Sequence, residues 1–257
     1  MAAPAPEEPE KFDVVIFGAS GFTGKYVIRE ALKFLPPNAS PLRTLALAGR
    51  SRDRVAAALR WAASPGPPPE NIPILVADAS DPASLAALAS RARVLLSCAG
   101  PFRLYGRQVA AACAAAGADC LDISGEPEFM ERVEADLHDA ASSNGSLIVS
   151  ACGFDSIPAE LGFLFNSRQW DPPSAPATVV AHLSLESDRT IVGNFGTYES
   201  AVLGVSNASD LQALRRSRPR QAKPSVSYLP LFFLDCSLGI DLLACFIIAT
   251  CLYVSAV

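Results

Sequence analysis

A chain of 257 residues with a formal net charge of -5 is long enough to bury one large or two smaller cores, and it carries no basic footprint of the kind that binds nucleic acid. Its seven cysteines include no Cys-x-x-Cys pair and follow no secretory signal, so they read as reduced intracellular thiols rather than disulfides or zinc ligands. The two histidines, His138 and His182, are too few for a histidine metal site; no metal is expected, and both are read as surface residues.

Residues 1–11 are rich in Ala, Pro and Glu and read as an unpacked tail. Their acidic character is the reverse of an Arg-rich mitochondrial transit peptide. Phe12-Asp13-Val14-Val15-Ile16-Phe17 follows as an apolar strand that empties into Gly18-Ala19-Ser20-Gly21-Phe22-Thr23-Gly24. Three glycines at intervals of three, after a strand and before a helix, lay a dinucleotide diphosphate on the helix N-terminus. The first allows the tight turn, the second the approach of backbone to phosphate, and the third close packing of helix on strand. Gly18, Ala19, Ser20, Gly21, Phe22, Thr23 and Gly24 are therefore candidate cofactor contacts. The next helix shows an apolar face at Val27, Ile28, Ala31, Leu32 and Leu35, with Lys25, Arg29, Glu30 and Lys33 largely off it. A P-loop is excluded because Ala19 stands five residues before Gly24 and Tyr26 replaces the magnesium-binding Ser or Thr.

Arg43 to Arg50 reads as a second strand and Asp53 to Trp61 as its helix, followed by a proline-rich loop from Ser64 to Pro69. Ile72 to Ala77 is a third strand ending at Asp78, and Asp81-Pro82 starts a helix. Val94 to Cys98 is a fourth strand running into Ala99-Gly100-Pro101-Phe102. Gly106 to Ala116 is a helix, Ala118 to Ile123 a fifth strand, Pro127 to Ser142 a helix and Leu147 to Ala151 a sixth strand. Strands alternating with helices in this way predict an α/β fold, a Rossmann-like doubly wound parallel sheet over residues 12–152. A partial α+β second domain is placed at 153–224 and an apolar tail at 225–257.

Ligands of such sheets bind outside the carboxyl ends of the strands. Arg50 and Ser51, with no acid before Asp53, favour NADP(H) over NAD(H), because an arginine there accommodates the 2′-phosphate; the alternative is a solvated arginine at a helix start. Asp78 is read either as a contact to the adenine edge or as a helix cap. Cys98, Ala99, Gly100 and Pro101 are expected to border the nicotinamide, with Pro101 and Phe102 as an apolar wall. Tyr105, Asp122, Glu126, Asp155 and Ser156 are the polar groups placed to orient a substrate. Asp155, Ser156 and Tyr105 are the catalytic candidates, against a reading of Asp155 and Ser156 as a turn and cap before Ile157-Pro158. No tyrosine has a lysine four residues on, which excludes short-chain dehydrogenase chemistry. A thiolate mechanism at Cys152 would need His182 as partner.

With Gly18 to Gly24, Ala48-Gly49-Arg50-Ser51, Cys98-Ala99-Gly100-Pro101-Phe102, Tyr105-Gly106, Asp122-Ile123-Ser124-Gly125-Glu126 and Gly153-Phe154-Asp155-Ser156-Ile157-Pro158 in order, the chain resembles the saccharopine dehydrogenase-like oxidoreductases. Within them it is similar to the branch that also resembles trans-acting enoyl reductases of lipid synthesis. The similarity runs from about Phe12 to Arg220, through Gly196 to Ala201 and Arg215 to Arg220. It implies a Rossmann domain followed by an α+β domain, a small-molecule or lipid-like substrate linked to lipid or glycolipid metabolism, and association with mitochondria, lipid droplets or membranes. It does not imply saccharopine chemistry. Members of this family are longer, so the chain looks shortened at its C-terminus. Leu238 to Val257 has the length of a bilayer span, interrupted by Asp241 and preceded by Arg215, Arg216, Arg218, Arg220 and Lys223. It is read as a tail anchor, as a core helix covered by sequence not present here, or as a truncation end. The rival to an oxidoreductase is a non-catalytic NADP(H)-binding module acting at a membrane, a lipid droplet or a protein partner.

Overall fold

The computed structural model describes residues 11–35, 40–154, 156–174, 176, 178–180, 188 and 194–218. The chain divides into two compact units, one of Met1–Ser124 and Phe129–Ser150, the other of Gly125–Glu128 and Ala151–Val257.

In the first unit, β1 (Phe12–Phe17), β2 (Leu45–Gly49), β3 (Ile74–Val76), β4 (Ala92–Ser97), β5 (Asp119–Asp122) and β6 (Ile148–Val149) form one parallel sheet in the order β3-β2-β1-β4-β5-β6. This is the doubly wound order expected, with the reversal between β1 and β4 where ligands bind. The register sets Val15 against Ala46 on one side and Leu95 on the other. Alternation along β1 divides the core. Ile16 joins Leu47, Ile28, Val55 and Leu59 under α1 (Phe22–Ala31) and α2 (Arg52–Ala63). Val15 and Phe17 face the other way, among residues of α3 (Pro82–Ala89), α4 (Phe102–Ala116) and α5 (Pro127–Asn144). Period-two strands and amphipathic helices thus meet as two apolar layers around one sheet.

β2 is shorter than Arg43 to Arg50 because the backbone N–H groups of Arg43 and Thr44 donate to the Asp13 carboxylate, each at 2.9 Å. Burial tends to raise the Asp13 carboxyl, but these bonds, the Thr44 hydroxyl and the Arg93 guanidinium together hold it below its ordinary value. α4 begins at Phe102 rather than Gly106, with Pro101 as N-cap. Gly106 lies inside the helix because an added Cβ would come within 2.6 Å of the Phe129 ring.

The described part of the second unit is helical: α6 (Ile157–Ser167), α7 (Phe195–Ser206) and α8 (Ala208–Ser217), none of which buries a residue. No helix among the described residues is long and apolar enough to cross a membrane; the 1–10 tail and Leu238 to Val257 lie outside them.

Candidate functional site

Where β1 ends, Gly18 adopts φ +77°, and a Cβ there would stand 2.8 Å from the Ala99 amide nitrogen and the Cys98 carbonyl carbon. Left-handed backbone and close approach of β4 both demand glycine at this position. The turn is fixed by the Ala19 N–H donating to the Ala48 carbonyl at 3.1 Å and the Gly21 N–H to the Gly18 carbonyl at 2.9 Å. At Gly24 a Cβ would come within 2.3 Å of the Gly18 carbonyl oxygen, so only glycine lets α1 seat against the turn. Gly21 is the N-cap of α1, which has no side-chain cap and no acidic residue in its first turn. By contrast, α2 is capped by the Ser51 hydroxyl and α3 by the Asp81 carboxylate. The first-turn N–H groups of α1, with the positive end of the helix dipole, therefore face outward without an anion of the chain's own. A glycine cradle, an uncapped helix start and no carboxylate fit a bound diphosphate.

Beside the turn stands the tip of β2. A Cβ on Gly49 would lie 3.9 Å from the Ser20 hydroxyl, which places Ser20 next to exposed Arg50. Among the described residues no carboxylate pairs with Arg50, whereas Ser51 accepts from the Arg54 N–H at 3.4 Å as a cap. Asp78 accepts from the Ser80 N–H at 2.9 Å, holding its own turn, and the cap of the following helix is Asp81 rather than Asp78.

At the end of β4, the Cys98 and Ala99 backbone closes on Gly18. Burial pushes the Cys98 thiol up to about 12, so it stays neutral and unreactive near pH 7. Pro101 and Phe102, read as an apolar wall, are both buried, and Phe102 packs into the core with its ring 5.7 Å from that of Phe129. Tyr105 lies in the first turn of α4, half-buried against the same core, and not in a loop before the helix.

A row of polar groups that the sequence revealed only in part crosses the strand ends. Asp122 is buried and accepts from the Ser124 N–H at 2.9 Å and the Ser150 hydroxyl at 2.8 Å. The hydroxyls of Ser97, register partner of Asp122, and of Ser124 are buried without a hydrogen-bond partner. Ser97 ends β4 and Ser150 follows β6 with no local motif, and Ser97 meets Asp122 by cross-strand register, Ser150 by its hydrogen bond.

In the second unit, Ser156 occupies the N-cap position of α6 without a side-chain capping bond, while Asp155 lies outside the described residues. His138 is exposed on α5 and His182 lies outside the described residues. The four cysteines described, Cys98, Cys113, Cys120 and Cys152, form no disulfide with one another. An apolar cavity of about 550 Å³ runs beside α1, lined by Val14, Ile16, Tyr26, Phe34, Leu42 and Leu96 among others, away from the glycine turn.

Residues 14–149 match the model of the family described as the saccharopine dehydrogenase NADP binding domain. The match bears out both the resemblance carried by the motifs and the preference for NADP(H). A probable mitochondrial saccharopine dehydrogenase-like oxidoreductase of Arabidopsis thaliana is 63% identical over 222 residues, which cover 86% of this chain and 49% of the relative. A saccharopine dehydrogenase-like oxidoreductase of Homo sapiens is 38% identical, over 81% of this chain and 49% of its own length. A lipid droplet localized protein of Caenorhabditis elegans is 37% identical, over 77% and 46%. The chain spans about half the length of the curated relatives it matches.

Proposed function

The chain belongs to the saccharopine dehydrogenase NADP-binding domain family, and from that premise we propose that it is an NADP(H)-dependent oxidoreductase acting on a small or lipid-related substrate. The observation that carries this is the start of α1 behind Gly18 and Gly24, where close backbone packing meets helix N–H groups that no side chain caps. In this reading the Gly18 to Gly24 turn holds the diphosphate, Arg50 with Ser20 receives the 2′-phosphate, and the Cys98 to Gly100 backbone borders the nicotinamide. The bound nicotinamide supplies the hydride. Tyr105, Asp155 and Ser156 are assigned to orienting the substrate. The names of the relatives from Arabidopsis and Caenorhabditis support a place at mitochondria or lipid droplets.

A second reading, an NADP(H)-binding module without turnover, is favoured by the exposed apolar helices of the second unit. NADPH oxidation, followed by absorbance across enoyl, keto and imino substrates, separates the two. It is run on this chain and on a version extended with the C-terminal half of a longer relative. Turnover by both supports the oxidoreductase; turnover by the extended version alone makes this chain the binding module. Turnover by neither leaves the reaction proposal without support and fails it.

A further inference from the structure

Lys25 sits in the first turn of α1, three residues after Phe22. Its ammonium lies 4.5 Å from the centre of the Trp61 ring, 5.3 Å from that of Tyr26 and 5.4 Å from that of Phe22. Tyr26 and Trp61 meet edge to face at 5.0 Å, so the three rings form one surface joining α1 to α2. Three other cations of this unit pair with carboxylates: Lys33 with Glu30 at 2.6 Å, Arg93 with Asp13 at 3.7 Å and Arg107 with Asp136 at 2.9 Å. Among the described residues Lys25 has no carboxylate partner.

We propose that Lys25 is a diphosphate-binding residue, its ammonium turning from the rings of Phe22, Tyr26 and Trp61 to the anion at the start of α1. This rests on the reading of the Gly18 to Gly24 turn given above. Three helical residues rise about 4.5 Å, a distance the four-carbon lysine stem covers, so the ammonium reaches the level of the first-turn N–H groups. Arg29 shares two of the rings, its guanidinium 4.9 Å from Tyr26 and 5.3 Å from Trp61. Two cations on the same pair of rings repel each other. Because Arg29 is the one nearer Glu30, at 3.9 Å, Lys25 is the one free to leave toward the helix start. The aromatic surface gives the ammonium a weak resting place on the near side of the site, which a diphosphate carrying two negative charges outbids. Nothing in this arrangement reads the 2′-phosphate, so Lys25 should serve NADP(H) and NAD(H) alike, while Arg50 separates them.

The test uses ADP-ribose, which carries the diphosphate but neither a 2′-phosphate nor a nicotinamide. It is titrated into the full chain carrying Trp170→Phe, so that Trp61 alone reports fluorescence, with calorimetry in parallel. Failure of the Lys25-bearing protein to bind ADP-ribose would fail the reading of the turn itself, and Lys25 with it. With that binding in place, Lys25→Met should raise the dissociation constants for ADP-ribose, NADH and NADPH by a similar factor, about 10-fold. Binding of 2′-AMP should not change, and Lys25→Arg should recover most of the loss. Trp61 emission should shift on ADP-ribose binding when Lys25 is present and stay still in Lys25→Met. The proposal is overturned by unchanged ADP-ribose affinity in Lys25→Met, by a loss confined to ligands with a 2′-phosphate, or by saturable binding that leaves Trp61 emission unmoved in the Lys25-bearing protein. Methionine keeps the stem against the rings, and a thermal midpoint read on each variant separates lost binding from lost folding.

Discussion

Phe129, in the first unit, is 3% exposed with its ring 5.7 Å from Phe102, whereas Phe165, in the second, is 69% exposed on a helix that buries no residue. The helix that carries Phe165 is the more apolar of the two. What differs is whether its apolar face is covered among the described residues. Buried positions in α4, at Phe102, Gly106, Val109, Ala110, Cys113 and Ala114, follow a stripe three and four residues apart that fits the sheet beneath. α6 has such a stripe too, at Ile157, Leu161, Leu164 and Phe165 with Phe163 off it, yet all five side chains are exposed. Burial partners of the first unit are written into its own alternation of strands and helices; those of α6 are not found among the described residues.

The same substitution made in both units breaks or sharpens this contrast most strongly. Phe129→Ala should cost about 3–5 kcal/mol of stability by opening a cavity in the core. Phe165→Ala should change it by no more than about 0.5 kcal/mol. Chemical denaturation of the two variants measures both, and comparable losses would show that α6 is packed as tightly as α5.

Next in size is a charge reversal confined to the first unit. Arg50→Asp should weaken NADPH binding by about 10- to 100-fold, the worth of a charged hydrogen bond, while leaving NADH binding within about threefold. Titrations of both coenzymes decide it, and equal losses would remove Arg50 from 2′-phosphate recognition.

Asp13 gives the smallest effect, at the amino end of β1, the opposite end of that strand from the site. Its folded carboxyl lies below its ordinary value, so its stabilisation is present above the unfolded value near pH 4 and is lost as pH falls through the lower folded value. Asp13→Asn should cost about 1 kcal/mol at pH 7. The gap to the parent should close as the pH is lowered below about 4, and thermal melts across that range check it. A gap that widens on acidification would reverse the assignment.

The succession of strands and helices and the glycine turn were legible because each rests on local signals: apolar runs, helical stripes and glycines at fixed spacing. Errors fell where a distant residue overrides the local signal. Pro101 and Gly106 look like breaks before a helix, yet Pro101 caps α4 and Gly106 makes room for Phe129. Arg43 and Thr44 leave β2 for the carboxylate of Asp13, about thirty residues earlier. Phe22, Lys25, Tyr26 and Arg29 share a helix face by spacing alone, but nothing local announces that Trp61 completes it. Ser97 joined the site through register and Ser150, just past β6, through its bond to Asp122, and the stripe of α6 does not name what covers it.

A dinucleotide gripped where β1 gives way to α1 is tested most directly by calorimetric titration of NADPH and NADH into the purified, folded chain. Saturable binding of both, tighter for NADPH, is the predicted result. A folded protein with measurable affinity for neither coenzyme would contradict it.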